Sequence, residues 1–240
     1  MHKLIDRTLA VALTIAAVLL VSVLIMRQVN ASAGSDSRSA NREWTFVDEW
    51  QEIAAAGRFL AGDASAPLIL VEFGDFECPF CRRFAMTLKM LQRTHGDSLA
   101  VVFVHFPLTS IHRLAIPAAR ASECAHEQGR FSQYHDVLFE NQESLAVQSW
   151  RSLAEYAAVP DLAAFDECVA RPEPVAAAEV GREFGRKLGV LGTPSVMING
   201  WLFRGGIHGD ELERALALLA QGELAEGSIG HELNRLTSEH

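Results

Sequence analysis

The chain has 240 residues, with 21 Lys and Arg against 30 Asp and Glu, a formal net charge of −9 at neutral pH. Hydrophobic residues make up 49% and charged ones 21%, a globular composition that excludes a wholly disordered, collagen-like or coiled-coil chain. The acidic excess argues against a nucleic-acid-binding face, because phosphate contacts need clustered Lys and Arg, and four cysteines are too few for a disulfide scaffold.

The first predicted element is Leu9 to Met26, an uncharged run just long enough to cross a hydrocarbon core about 30 Å thick. Lys3 and Arg7 precede it, in keeping with a cytoplasmic N-terminus. Ala31-Ser32-Ala33 has the small-x-small form of a signal-peptidase site. Residues 1–30 therefore read as a transmembrane anchor or a cleaved signal segment, and either outcome places the rest of the chain outside the cytoplasm, on the periplasmic or cell-envelope side. Residues 31–43 are almost without apolar side chains and read as a flexible linker. Residues 44–220 are then the folded domain, and 221–240 a Gly-interrupted charged tail.

Val47 to Leu60 is predicted as a helix, although its apolar positions follow a helical period only loosely. Pro67 to Phe73 is a short apolar run of strand length and reads as a buried central strand. After Gly74-Asp75-Phe76-Glu77 comes Cys78-Pro79-Phe80-Cys81, and Arg82 to Thr94 places Phe84, Leu88 and Leu91 on one helical face. The cysteine pair thus sits where a strand feeds a helix, with Pro79 suited to the first turn, where its missing N–H costs nothing. A thiol there faces unsatisfied N–H groups and the positive dipole end, which favour the thiolate. Cys78 is expected to be the exposed nucleophile, and Cys81, one turn on, is spaced to attack a mixed disulfide formed at Cys78. Arg82 and Arg83 add positive potential, while Asp75 and Glu77 oppose it. Two bland alternatives are a zinc site, for which a second ligand pair is missing, and a structural bridge, which closing over two residues would restrain little.

Leu99 to Phe106 reads as a second strand ending at Pro107, and Ile111 to Leu188 as an Ala-rich helical stretch. Its last helix, Glu179 to Leu188, is expected to bury Val180, Phe184 and Leu188, with Gly189 as its stop. Beyond Gly192-Thr193-Pro194, the runs Ser195–Ile198 and Trp201–Phe203 flank Asn199-Gly200, a strong hairpin signal. A final helix is expected with Asp210 as N-cap, Glu213 completing a capping box, and Leu212, Leu216 and Leu219 facing the core. The order is β-α-β, a helical block, then β-β-α. His105, His112, His126 and His135 form no spaced ligand set and read as packing or surface residues, so no metal and no cofactor is expected.

The chain resembles the DsbA-like thiol:disulfide oxidoreductases of the thioredoxin superfamily. The matching stretches are Val71 to Cys81, Phe106-Pro107-Leu108 with His112, Cys124-Ala125, Phe131 to Phe139, and Gly192-Thr193-Pro194 running into Asn199-Gly200. The resemblance implies an α/β thioredoxin-like fold, with a core from residues 63–110 and 186–220 and a helical insertion at 111–185 between the β-α-β unit and the cis-proline, hairpin and helix. It implies Cys78 as nucleophile, Cys81 as resolving partner, Pro194 as the cis-proline facing them, and Thr193 as a backbone partner for a bound substrate strand. It further implies Glu72 as the buried acid that helps move the proton on Cys81, the competing reading being a solvent-facing Glu on an edge strand. Phe80 stands where the best-known member has His, and Thr193 where it has an aliphatic residue, and both bear on the redox potential. Relatives with a pair like Cys124 and Cys168 bridge it; the alternative is a second redox relay. The implied function is disulfide exchange with exported proteins, most naturally as an oxidase served by a membrane or soluble redox partner, with reductase or isomerase action as alternatives. A membrane-tethered, peptide-binding chaperone with incidental cysteines is the reading from a different class. A monomer is expected, since residues 44–62 are too short for a dimerisation module.

Overall fold

The computed structural model describes residues 19–26, 43–221 and 226–238, and the chain divides into two units, 1–42 and 43–240. In the first, residues 19–26 form a helix, α1. The rest of the predicted membrane segment and most of the linker lie outside the described residues. Among the described residues no helix is long and apolar enough to cross a membrane.

The second unit is built on a six-stranded sheet. Its centre is β3 (Leu68–Gly74), buried at every position and paired in parallel with β4 (Leu99–His105). The connection between them is α3 (Pro79–His95), as the sequence pattern predicts. On the other side of β3 the hairpin β5 (Ser195–Ile198) and β6 (Trp201–Phe203) runs antiparallel. Its turn places Asn199 at φ +46° and Gly200 at φ +91°, the positive angles that a tight hairpin demands and that Asn and Gly tolerate best. The edges are β1 (Trp44–Phe46) beside β6 and β2 (Arg58–Ala61) beside β4, giving the order β1-β6-β5-β3-β4-β2.

Alternate strand side chains enter two apolar layers, as the two-residue strand period requires. Leu68, Leu70, Leu99 and Val101 meet Phe84, Leu88 and Leu91 of α3 and Leu212 and Leu216 of α9 (Gly209–Gln221). Ile69, Val71, Phe73, Val102 and Val104 face the other way, toward Ile53 and Ala54 of α2 (Trp50–Ala56) and Val190. The predicted insertion comprises α4 (Ala115–His126), α5 (Phe131–Glu140), α6 (Trp150–Tyr156), α7 (Leu162–Val169) and α8 (Ala176–Lys187). Its own core, around Tyr134, Leu138, Leu153 and Phe165, also takes in Cys78 and Cys81.

Four local expectations are corrected. The helix expected over Val47–Leu60 stops at Ala56, and Arg58 to Ala61 become strand β2. Gly57 is where the chain meets β4, so closely that a Cβ there would lie 2.4 Å from Val102 Cγ1. Helix α8 turns Ala178, Gly181 and Gly185 inward, leaving Val180 exposed and Phe184 and Leu188 only partly buried. A Cβ on Gly181 would stand 2.1 Å from the His105 carbonyl oxygen, so close backbone approach, and not apolar periodicity, decides which face is buried. Helix α9 already includes Gly209, so Asp210 lies inside it and not at its cap, and the carboxylate that reaches back is Glu211, whose Oε2 accepts from the His208 N–H at 3.0 Å. Finally, the expected charged tail carries α10 (Glu226–Ser238). Leu233 is fully buried in the layer beneath α9, and Asn234 Oδ1 accepts from the Trp44 N–H at 2.6 Å, so the last turns belong to the domain.

Candidate active site

Strand β3 ends at Gly74, and the next four residues fold into a tight turn in which the Cys78 N–H donates to the Asp75 carbonyl at 3.0 Å. Cys78 is the N-cap of α3, Pro79 opens the helix, and Cys81 lies one turn inside. The two acids beside the pair are occupied elsewhere. Asp75 is buried, and its carboxylate accepts from the N–H groups of Glu77 and Leu108 and contacts His112 Nδ1, each at 2.8 Å. Glu77 Oε2 accepts from the Leu114 N–H. These carboxylates therefore pin the segment after β4 against the active-site turn. His112 is a packing residue with a partner.

Both cysteines are free thiols. Cys78 is not the exposed nucleophile expected from the sequence, because its residue is only 4% accessible. The loop before β5 covers it, and its Sγ donates to the Thr193 carbonyl at 3.2 Å. The Thr193–Pro194 peptide is cis. The Thr193 hydroxyl is buried without a partner while the thiol is protonated. It is placed to donate to the thiolate, so the residue before the proline favours the anion through its side chain, while its carbonyl accepts only from the protonated thiol.

The three titratable groups are driven apart. The Cys78 thiol is lowered to about 6, chiefly by the hydrogen bond from Cys81, with the Thr193 hydroxyl and the N–H groups of Cys81 and Phe80 assisting against burial. Burial above all raises the Cys81 thiol well above its ordinary value; its bond to Cys78 and the charges of Glu72 and Cys78 push the same way. Glu72 lies in the central strand, opposite Phe103 on one side and Val196 on the other, with no exposed surface. Neither carboxyl oxygen has a hydrogen-bonding partner of normal geometry, and burial raises the group to about 8. This matches the buried acid and rules out the solvent-facing edge strand. Glu72 and Cys81 act on each other directly, a pairing in which a near-neutral carboxyl can take a proton from a reluctant thiol.

A groove of about 370 Å³ runs beside Pro194, lined among others by Phe80, Arg83, Phe84, Ile207 and His208. Phe80 is 58% exposed at its rim, with the Arg83 guanidinium 4.6 Å above its ring. Away from the site, Cys124 and Cys168 are bonded to each other, joining α4 to α7 with 5.7 Å between their Cα atoms. His105 and His135 are buried against Phe76, Phe103 and Phe139, and His105 Nε2 meets Glu123, itself held by Arg58. Among the described residues no cluster of His, Cys, Asp and Glu could hold a metal ion. The contact that sequence reasoning missed is Gln142, which lies just past α5 and reaches the active-site turn from 64 residues away. Nothing in its immediate sequence marks it.

Residues 55–217 match the family described as Thioredoxin, and the chain belongs to that family. Curated relatives include proteins named Na(+)/H(+) antiporter NhaA 1 from Mycolicibacterium vanbaalenii, 36% identical over 159 residues, and from Mycolicibacterium gilvum, 38% identical over 159 residues. The alignments cover 65% of this chain but only 25% of each relative, so the chain spans about a quarter of the length of these proteins. Among solved structures, the fold is shared with BdbD from Bacillus subtilis (TM-score 0.63, 20% identity, 76% of this chain and 100% of that one). It is shared also with the thiol-disulfide exchange protein alpha-DsbA2 from Wolbachia pipientis (TM-score 0.63, 16% identity, 78% and 98%).

Proposed function

We propose that this member of the thioredoxin family is a protein thiol:disulfide oxidoreductase working through Cys78 and Cys81, and that its net direction is disulfide formation in exported proteins. The observation that carries the reading is the divergence of the two thiols, Cys78 lowered to about 6 and Cys81 held well above its ordinary value, at a helix N-terminus facing a cis-proline. In the oxidised enzyme a client thiolate attacks Cys78 Sγ. The Cys78–Cys81 bond breaks, a client–Cys78 disulfide forms, and Cys81 leaves as a thiolate that takes up a proton, with Glu72 as its donor. A second client thiolate then attacks the client sulfur and expels Cys78 as a stabilised thiolate. The client loses two electrons and the pair gains them, so a further oxidant of disulfide or quinone type must restore the bond. Run backwards, the same steps reduce a client, and Glu72 removes the Cys81 proton before Cys81 resolves the mixed disulfide.

The groove beside Pro194 is suited to an extended client segment, with Phe80, Thr193 and Pro194 as contacts. The apolar run Leu9–Met26 supports an extracytoplasmic domain tethered to the cytoplasmic membrane. The transport in the curated relatives' name belongs to proteins four times the matched length and is not part of this reading.

Replacing Cys81 by Ala tests the proposal. The variant is expected to accumulate mixed disulfides between Cys78 and exported proteins, which a reductant releases and which Cys78→Ala abolishes. A Cys81→Ala variant that holds the same proteins non-covalently, with Cys78→Ala making no difference, would establish the chaperone reading instead.

A further inference from the structure

We propose that Gln142 is a positioning residue for the nucleophile: from the short turn after α5, its side-chain amide grips the two carbonyl groups that bracket the Glu77–Cys78 peptide. This inference rests on Cys78 being the reacting thiol. Gln142 Nε2 donates to the Phe76 carbonyl at 2.8 Å and to the Cys78 carbonyl at 3.0 Å. Two carbonyl oxygens drawn to one NH2 group point their negative ends toward the same place. A donor between them offsets their repulsion and fixes the peptide orientation that sets the direction of the Cys78 side chain. The Cys78 carbonyl also begins α3, accepting from the Arg82 N–H at 3.2 Å, so the grip acts on the helix end that faces the sulfur.

The turn that carries the amide is itself held. The Leu145 N–H closes the turn on the Gln142 carbonyl, and Gln148 Nε2 donates to Asn141 Oδ1 and Ser144 Oγ. Next door, Glu143 Oε1 pairs with Arg82, the second residue after Phe80 in the first turns of α3. The helical insertion thus supplies a fixed polar hand to a nucleophile carried by the thioredoxin core. The amide adds a partial positive charge on the carbonyl side of the turn, where a carboxylate would add a full negative one.

The charge dependence separates this role from simple packing. We would titrate the Cys78 thiolate by its ultraviolet absorbance in the reduced full chain, and measure its attack on glutathione disulfide, which forms a Cys78–glutathione bond and releases a glutathione thiolate. Gln142→Ala is expected to raise the titration midpoint by about one unit and slow attack about tenfold below it. Gln142→Glu is expected to raise the midpoint further, and Gln142→Lys, which retains a donor, to leave it at or below the parent value. Equal shifts in all three variants, or none, would overturn the proposal, and if alanine alone unfolds the lysine and glutamate pair still decides. A parent chain that titrates but never exchanges with glutathione disulfide would sink the oxidoreductase reading, while the order of the midpoints would still judge Gln142.

Discussion

Replacing Glu72 by Leu is expected to stabilise the oxidised domain at alkaline pH and to leave it nearly unchanged at pH 4. The sign follows from the direction of the shift. A carboxyl raised from 4.5 to about 8 on folding holds its proton in the folded state where the unfolded chain has lost it. The folded state is therefore progressively penalised as pH rises from 4.5 to 8, at roughly 1.4 kcal/mol per pH unit and roughly 5 kcal/mol in all. Urea unfolding at intervals across that window should show the advantage of the Leu variant over the parent widening as pH rises. Parallel curves for the two proteins would mean that Glu72 is not the strained group. Under the proposed function the same carboxyl moves the Cys81 proton. In the reduced enzyme the variant should resolve mixed disulfides about a hundredfold more slowly near neutral pH, since the proton acceptor is gone.

Removing the second cysteine pair is expected to cost stability and leave the chemistry intact. The bond between Cys124 and Cys168 spans 44 residues, and a loop of that length is stabilised by roughly 4 kcal/mol in the chain-entropy treatment. Cys124 lies near the C-terminal end of α4 and Cys168 near that of α7, where the helix dipole disfavours a thiolate. Both are buried, at 1% and 4% accessibility. The double Ala variant should unfold at markedly lower urea while reacting with glutathione disulfide at the parent rate. Slowed turnover with unchanged stability would instead make this pair a relay for the first.

What could be read from the sequence depended on how local the signal was. The helix at Cys78–Pro79, the Asn199–Gly200 turn and the burial of Phe84, Leu88 and Leu91 are each fixed by neighbours within one or two turns, and their patterns were plain. The core face of α8 was not, because two glycines packed on the His105 carbonyl and the Phe106 ring carry no hydrophobic signal at all. Strand β2 hid for a related reason: its partner is β4, some forty residues away, and only the close approach at Gly57 ends the helix before it. The site shows the same division. Cys78 and Cys81 declare themselves by residue type and spacing and Glu72 through the family resemblance, whereas the buried state of Cys78, the locking of Asp75 by Leu108 and His112, and the reach of Gln142 depend on tertiary placement.

Under the proposed function Cys78 and Cys81 form a redox couple whose reduced state is stabilised by the Cys78 thiolate. A thiol at about 6 lies between those of thioredoxin, about 7, and DsbA, about 3.5. Stabilisation of the reduced state by that thiolate places the potential between the two references, about −270 mV for thioredoxin and about −120 mV for DsbA. Equilibrating the full chain in glutathione buffers and counting free thiols measures it directly. A value inside that window supports a moderately oxidising exchange enzyme; one at or below thioredoxin's, about −270 mV, or cysteines that never reach equilibrium with the buffer, would contradict the account.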